Sequence, residues 1–454
     1  MLSLTGPKRP WWAAGGLLML AAVCGCGSTY RPVVVPINPT GPAPQPATLV
    51  VALSQQNAPG AVPDPKTPGV ATILNFSGDS ILAQAFTGPG PIGLALSPSG
   101  GEAYTLNHDQ TISSFPVTAS LMTKNVNVTT LLASTTPANV LSTGNAVFLS
   151  DSATNQVDFL TGSPVALKQA IPVEMGPVTV VGNSGAQRVY SINQMVAPGV
   201  CDTPSQSVNG KVDAIEESTN TVSGEITVGA CPVYGVASSD NRRVFILNRG
   251  SGTVSVIDGQ TNQLNAATWG PDHQPCPYNC QTISVGAGPV YAQIYQKASI
   301  LVTANYDSNT VSFIDISTDV YGNNSSTFGR VLATVPVGHH PATVAVLQDG
   351  TRAYTANQGD GTVSVVDMTS FTVKKTITVM SQPRSVAAVS NALIGKVYVT
   401  SPTSSQIIVI RTDTDTISAS VDLPGWVVDL RTGGQVAGGS NSINASRIVG
   451  SGTP

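Results

Sequence analysis

The chain has 454 residues, of which 41% are apolar and only 10% charged, with 21 basic against 25 acidic side chains. No basic cluster occurs, which excludes nucleic-acid binding that tracks phosphates. Solubility must come from Ser, Thr, Asn and Gln on outward faces, and outside the extreme N-terminus no eleven-residue window carries a helical apolar stripe.

At the N-terminus, Lys8 and Arg9 precede an apolar run from Trp11 to Val23. That run is too short to span a bilayer and fits a signal-peptide core. Val23-Cys24-Gly25-Cys26 resembles a lipobox, with Val where the usual box has Leu and a Cys at its middle position. Cys26 is the expected lipidated residue, so 1–25 is read as a lipoprotein signal peptide. Its removal takes away Lys8 and Arg9 and leaves 19 basic and 25 acidic residues, a net charge of −6. Gly27 follows where an Asp would retain the protein, which favours outer-membrane delivery by analogy with enteric sorting. Residues 26–47 carry Pro32, Pro36, Pro39, Pro42, Pro44 and Pro46. They read as an extended tether that reaches roughly 60 Å at about 3.1 Å per residue.

From residue 48 onward the chain is repetitive. Gly338–Val379 reads GHHPATVAVLQDGTRAYTANQGDGTVSVVDMTSFTVKKTITV, and Gly286–Asp315 and Gly229–Asp258 carry the same signals. The first copy holds four short runs rich in Val, Ile, Thr and Tyr: Thr343–Leu347, Ala353–Ala356, Thr362–Asp367 and Thr376–Val379. Asp349-Gly350 and Gly359-Asp360-Gly361 separate them as hairpin turns. Asp258, Asp315 and Asp367 end the third runs, where a short acceptor caps the next turn. Four antiparallel strands per forty residues predict β-propeller blades, since a blade buries both faces only by stacking.

The blade-opening proline recurs at Pro91, Pro137, Pro177, Pro232, Pro289, Pro341 and Pro383, spaced 46, 40, 55, 57, 52 and 42 residues apart. Insertions at Val196–Asn209, Ala266–Cys280 and Val320–Phe328 account for the longer spacings. Leu423–Leu430 resembles a lone first strand, and Leu49–Leu53, Val70–Phe76 and Ile81–Phe86 resemble strands two to four. The expected fold is therefore all-β: a closed propeller over 48–430, with seven continuous blades plus one composite blade, followed by a Gly/Ser-rich tail at 431–454. Seven blades in total is the alternative, with the Pro137 copy degenerate.

The runs LVTAN (Leu301–Asn305), AYTAN (Ala353–Asn357) and VYVTS (Val397–Ser401), each followed by TVSFID, TVSVVD or QIIVIR, resemble YVTN-type propeller repeats. The resemblance covers about Thr48 to Leu430. It implies a propeller of seven or so blades in an extracytoplasmic setting. Its superfamily includes lactonases and haem-containing enzymes, so it fixes no activity.

Four cysteines follow Cys26, and in an exported chain they imply disulfides. Loops between strands two and three share a face with loops between blades. Cys201 and Cys231 lie in one loop of each kind in adjoining units, while Cys276 and Cys280 lie between strands three and four. The expected pairs are Cys201–Cys231 and Cys276–Cys280. His273-x-x-Cys276-x-x-x-Cys280 could hold a metal, but no fourth ligand is obvious, so no metal and no cofactor are expected.

No nucleophile elbow, zinc-protease motif, P-loop or dinucleotide fingerprint occurs. His108, Asp109, Arg249, Asp307, His339, His340 and Asp360 fall on one loop face and form the candidate ligand face. The leading expectation is a non-enzymatic, lipid-anchored, monomeric scaffold in the cell envelope, in the outer membrane or periplasm or at the cell surface. It would bind an envelope protein, a polysaccharide or a small ligand. An exported lactonase-like hydrolase and a propeller holding a haem-type cofactor through His339 or His340 are the alternatives.

Overall fold

The computed structural model describes residues 49–56, 66–76, 78–117, 126–130, 137–144, 146–182, 187–197, 199–202, 208–390 and 395–432. Residues 1–25 and 26–47, read above as signal peptide and tether, lie outside them with Cys26, as do residues 433–454. The described chain forms eight four-stranded antiparallel blades of a β-propeller. Its only helical pieces among the described residues are two single 3-10 turns, Val200–Asp202 and Gln296–Ala298. No helix of the described residues is long and apolar enough to cross a membrane.

We letter the strands of a blade a to d from the inside outward. Blades 1 to 7 are continuous, with inner strands Pro91–Leu96, Pro137–Thr143, Pro177–Val181, Pro232–Ala237, Pro289–Tyr295, Pro341–Val346 and Ser385–Ser390. The Pro137 copy is a complete blade, which removes the seven-blade alternative. Blade 8 is composite. Its inner strand Trp426–Thr432 pairs with Leu49–Gln55, followed by Pro68–Asn75 and Ser80–Pro89. Among the described residues no strand ladder runs between blades. Apolar clusters instead join each adjacent pair around the circuit, as Val363 and Val365 of blade 6 pack with Val397 and Val399 of blade 7. Each fully buried side chain of this kind contributes about 1.5–3 kcal/mol.

Hydrogen bonds inside the repeat explain its recurrent letters. Strand b ends in Asn107, Asn248, Asn305 or Asn357 in blades 1, 4, 5 and 6. Each of these amides donates to the Thr that opens strand c and to the Ser two residues on; for Asn357 both bonds are 2.9 Å, to Thr362 and Ser364. The glycine near the end of strand d is required by the same amide. A Cβ on Gly338 would lie 2.6 Å from Asn357 Nδ2. At the other end, Asp367 accepts from the amides of Thr369 and Ser370 at 2.8 and 2.9 Å, the turn-capping role expected for it.

Two further sets of bonds hold blade to blade. On the face bearing the a–b and c–d turns, a tyrosine of strand b reaches a left-handed residue in the next blade's c–d turn. Tyr190 meets Asn262, Tyr354 meets Asp415 and Tyr398 meets Asp79. Near the axis, side chains of one inner strand bond the free edge of the next. Asn139 Oδ1 accepts from Val180 N, Thr179 Oγ1 donates to Val233 O, Gln293 Oε1 accepts from Val346 N, and Thr343 Oγ1 donates to Arg384 O. Asp429 Oδ2 accepts from Leu94 N at 3.1 Å, and Arg431 Nε donates to Leu94 O at 3.1 Å. These contacts satisfy edge groups that would otherwise be orphaned. Asp429 and Arg431 are themselves paired at 3.0 Å and fully buried, and the Tyr291 hydroxyl feels both from across the axis.

The insertions refine one expectation. Cys276 and Cys280 do not simply lie between strands three and four. The outer strand of blade 4 is cut in two, Gln263–Leu264 and Thr282–Ser284, and both pieces pair with Thr253–Asp258. The excursion between them holds a short hairpin and the Cys276–Cys280 disulfide. Cys201 pairs with Cys231, tying the b–c loop of blade 3 to the start of blade 4. With its sulfurs oxidised, the His273 segment cannot offer thiolates to a metal.

Candidate functional site

The loop face is built from b–c loops and the turns that enter each inner strand. Their geometry repeats. Before six of the seven blade-opening prolines the residue takes a positive φ: Gly90, Gly176, Cys231, Gly288, His340 and Gln382. Its carbonyl accepts from the residue that follows the strand-b Asn. His108 N donates to Gly90 O at 2.8 Å, Arg249 N to Cys231 O at 2.9 Å, Tyr306 N to Gly288 O at 2.7 Å and Gln358 N to His340 O at 2.9 Å. Glycine suits this conformation, and a side chain there costs of order 1–3 kcal/mol unless something holds it. At Cys231 the disulfide holds it. At His340 the hold is a stacked ring, Tyr306, with centroids 4.5 Å apart and planes 10° from parallel.

Four consecutive blades converge around that pair. Arg249 of blade 4 donates through Nε and Nη2 to Asp307 of blade 5 at 3.3 and 3.2 Å. Its Cζ also lies over the Tyr306 ring, 5.6 Å from the centroid. Blade 6 brings His340, whose backbone N–H donates to Asn309 Oδ1 at 2.9 Å. It also brings Asp360, which accepts from the His339 backbone N–H and faces His339 Nδ1, both at 2.6 Å. Those two contacts, the backbone bond foremost, hold the Asp360 carboxyl below its ordinary range. Blade 7 supplies Arg384, half-buried, with its guanidinium lowered to about 10 by desolvation. Burial raises the Tyr306 phenol, and Arg249 and Arg384 both oppose that rise. A cavity of about 420 Å³ opens here, lined by Tyr306, His340, Gln358, Asp360, Ser381 and Gln382.

Arg249, Asp307, His339, His340 and Asp360 are thus gathered at one site. His108 and Asp109 share the face but not the site. The His108 ring is exposed, and Asp109 accepts from Thr111 N and Oγ1 at 3.2 and 2.6 Å as a turn residue. Tyr306, Gln358 and Arg384 were not anticipated. Tyr306 and Gln358 could have been found by register, directly after the strand-b Asn. Arg384 could have been found by contrast, because the residue after the blade-opening proline is Ile92, Ala138, Val178, Val233, Val290 and Ala342 in the other blades.

Among solved structures the chain is similar to the dihydro-heme d1 dehydrogenase NirN in complex with DHE, with a TM-score of 0.61 at 12% identity over 86% of this chain and 76% of that one. It is also similar to apo AztD from Citrobacter koseri, with a TM-score of 0.53 at 13% identity over 87% of this chain and 99% of that one. The likeness is one of fold. No family model matches the chain, and neither does any curated protein sequence.

Proposed function

We propose that this chain is an exported, lipid-anchored β-propeller of the YVTN-repeat kind that acts as a binding scaffold in the cell envelope. The ligand face is the loop face of blades 4 to 7, and its occupant is a small ligand held against Tyr306 and His340. One observation carries this reading. His340 occupies a left-handed position that glycine fills in blades 1, 3 and 5, and it does so stacked on a tyrosine at the wall of a cavity of about 420 Å³. Strain retained against a ready alternative marks positions kept for use. The lipobox at Cys26 and the two disulfides support an extracytoplasmic setting.

A haem-type group does not fit these residues. A flat macrocycle needs two broad apolar walls, whereas this cavity is lined mainly by Gln358, Gly359, Asp360, Gly361, Ser381 and Gln382. A hydrolytic reading has one feature in its favour, the Asp360 carboxylate behind His339 Nδ1 with the imidazole 69% exposed. Turnover of a lactone panel, lost in His339→Ala and Asp360→Ala, would establish it. The binding reading is tested by a thermal-shift screen of the purified full chain against small metabolites. Compounds that raise Tm of the wild type are expected to leave Tyr306→Ala unmoved. A response shared by both chains refutes the assignment.

A further inference from the structure

Two of the eight turns that enter inner strands carry an aromatic ring at the same register. Asp429 of blade 8 and Thr343 of blade 6 hold the same place, each accepting from an amide of the next inner strand, Leu94 N and Val386 N. Three residues ahead of them stand Trp426 and His340. The other six blades have Gly90, Thr136, Gly176, Cys231, Gly288 and Gln382 there. His340 borders the cavity beside Tyr306, and Trp426 borders a larger one, of about 690 Å³, between blades 7 and 8. That volume falls within the range of about 300–1,000 Å³ usual for small-molecule sites. Its frame is fixed. Leu423 N donates to Ser405 O at 2.8 Å and Val427 N to Ser404 O at 3.1 Å, which pins the b–c loop of blade 7 to the entry of blade 8 at two points. Between these points the chain turns through Gly425, at φ 110°, where a Cβ would lie 2.3 Å from Gln55 O. Among the described residues no charged side chain lines the cleft. Its polar groups are the hydroxyls of Thr403, Ser404 and Ser405 and the amides of Gln56 and Gln406. Gln406 Nε2 donates to Asp422 at 2.8 Å, and Ser404 Oγ accepts from Gln406 N at 3.1 Å and keeps its hydrogen. Ser405 Oγ, the Gln56 amide and the Trp426 indole N–H have no hydrogen-bond partner among the described residues. Gln56 and Gln406 are exposed, and neither Ser405 Oγ nor the indole N–H is sealed from solvent.

We infer that this cleft is a second binding site, for a neutral saccharide whose ring lies against Trp426 and whose hydroxyls bond Gln56, Ser404, Ser405 and Gln406. The lining chooses among ligand classes. A charged ligand would meet a wall that offers no counter-charge. An apolar one would cover free hydroxyls and amides without replacing the water they bind. Ser hydroxyls and Gln amides both donate and accept, as sugar hydroxyls do. An indole presents a broad apolar face with one N–H at its edge. A sugar ring, with a C–H face bordered by hydroxyls, is its complement. The site uses none of the residues around Tyr306, so it stands or falls apart from the reading given above.

The test screens the purified full chain on an array of neutral and acidic glycans and titrates the hits by calorimetry. At least one neutral oligosaccharide is expected to give saturable heat. Trp426→Ala should abolish it, and Trp426→Phe should keep part of it, because the smaller ring still offers a face. Ser405→Ala removes a hydroxyl that bonds nothing in the described protein, so it should leave Tm unchanged. It should weaken binding about two- to tenfold, the worth of one neutral hydrogen bond. Tyr306→Ala should bind the same glycan as the wild type does, which separates this site from the one proposed above. Silence of the wild type across the array overturns the inference, as does a preference for acidic glycans over their neutral counterparts. A glycan held as well by Trp426→Ala and Ser405→Ala as by the wild type also overturns it. Loss of the glycan in Tyr306→Ala, with retention in Trp426→Ala, would move the saccharide to the other cavity and overturn this site alone.

Discussion

Blade 8 is assembled from both ends of the chain, and one ion pair fastens it to blade 7. Lys396 Nζ lies 2.8 and 2.7 Å from the two oxygens of Asp79 and 2.6 Å from Phe76 O, while the Tyr398 hydroxyl donates to Asp79 at 3.2 Å. The pair is largely enclosed, with side chains 10% and 14% exposed. Asp79→Ala removes the carboxylate and leaves an ammonium facing one carbonyl and the Phe76 ring. Breaking a buried pair from one side costs about 3–5 kcal/mol, and residual exposure places this one at the lower end, about 3 kcal/mol. Because the penalty is mostly the stranded charge, Lys396→Met in the same chain should recover much of it. Urea titrations followed through the single Trp of blade 8, Trp426, and by backbone circular dichroism give the two single costs and the double-mutant cycle. A cost below about 1 kcal/mol for Asp79→Ala, or a double mutant no more stable than that single, would refute the rivet.

Three other outcomes are expected. Removing Cys201–Cys231, which spans 30 residues, should cost about 3.7 kcal/mol, against about 2 kcal/mol for Cys276–Cys280, which spans 4; the ordering of the two double-serine variants in denaturant checks it. Burial raises Asp158, Asp213 and Asp429 to about 6 and Glu217 to about 7. The folded chain therefore holds more protons than the unfolded one between about pH 4 and 7, and stability should fall as pH rises through that window; Tm measured from pH 5 to 7.5 tests the sign. Asn357→Ala should cost about 2 kcal/mol through two lost bonds to Thr362 and Ser364. It should also deprotect the blade 6 amides selectively in hydrogen exchange.

The architecture was legible because it is written many times. One weak copy, at Pro137, is outvoted by the others, and the period carries the Leu49–Gln55 strand into a blade with a chain segment nearly four hundred residues away. The split outer strand of blade 4 was not legible. Gln263–Leu264 and Thr282–Ser284 are each too short to show alternation, and only their common partner, Thr253–Asp258, reveals them as one strand. At the site, the sequence identified the face and not the azimuth. His108 and Asp109 belong to blade 1, on the opposite side of the ring from blade 5 and Tyr306. Turn residues at equal positions in the repeat look alike in sequence, and their separation around the axis is a property of blade count. Arg384 escaped for a different reason. A single charged residue after a proline looks like a solvated loop until the six apolar residues at the same place in the other blades are set beside it.

Strand direction adds an orientation to the site. Inner strands run away from the loop face and second strands run back toward it. In blade 8, Leu49 pairs with Asn75 beside the c–d turn, and Val50 pairs with Thr432 at the end of the inner strand. Both chain segments therefore leave the propeller on the side of the a–b and c–d turns, opposite the cleft of Tyr306, His340 and Arg384. The rivets Tyr190–Asn262, Tyr354–Asp415 and Tyr398–Asp79 lie on that same side. That side is thus cross-linked between blades by the strand-b tyrosines, while the loop face is joined between blades by the Cys201–Cys231 and Arg249–Asp307 links, the His340 N–H bond to Asn309 and the Tyr306–His340 stack.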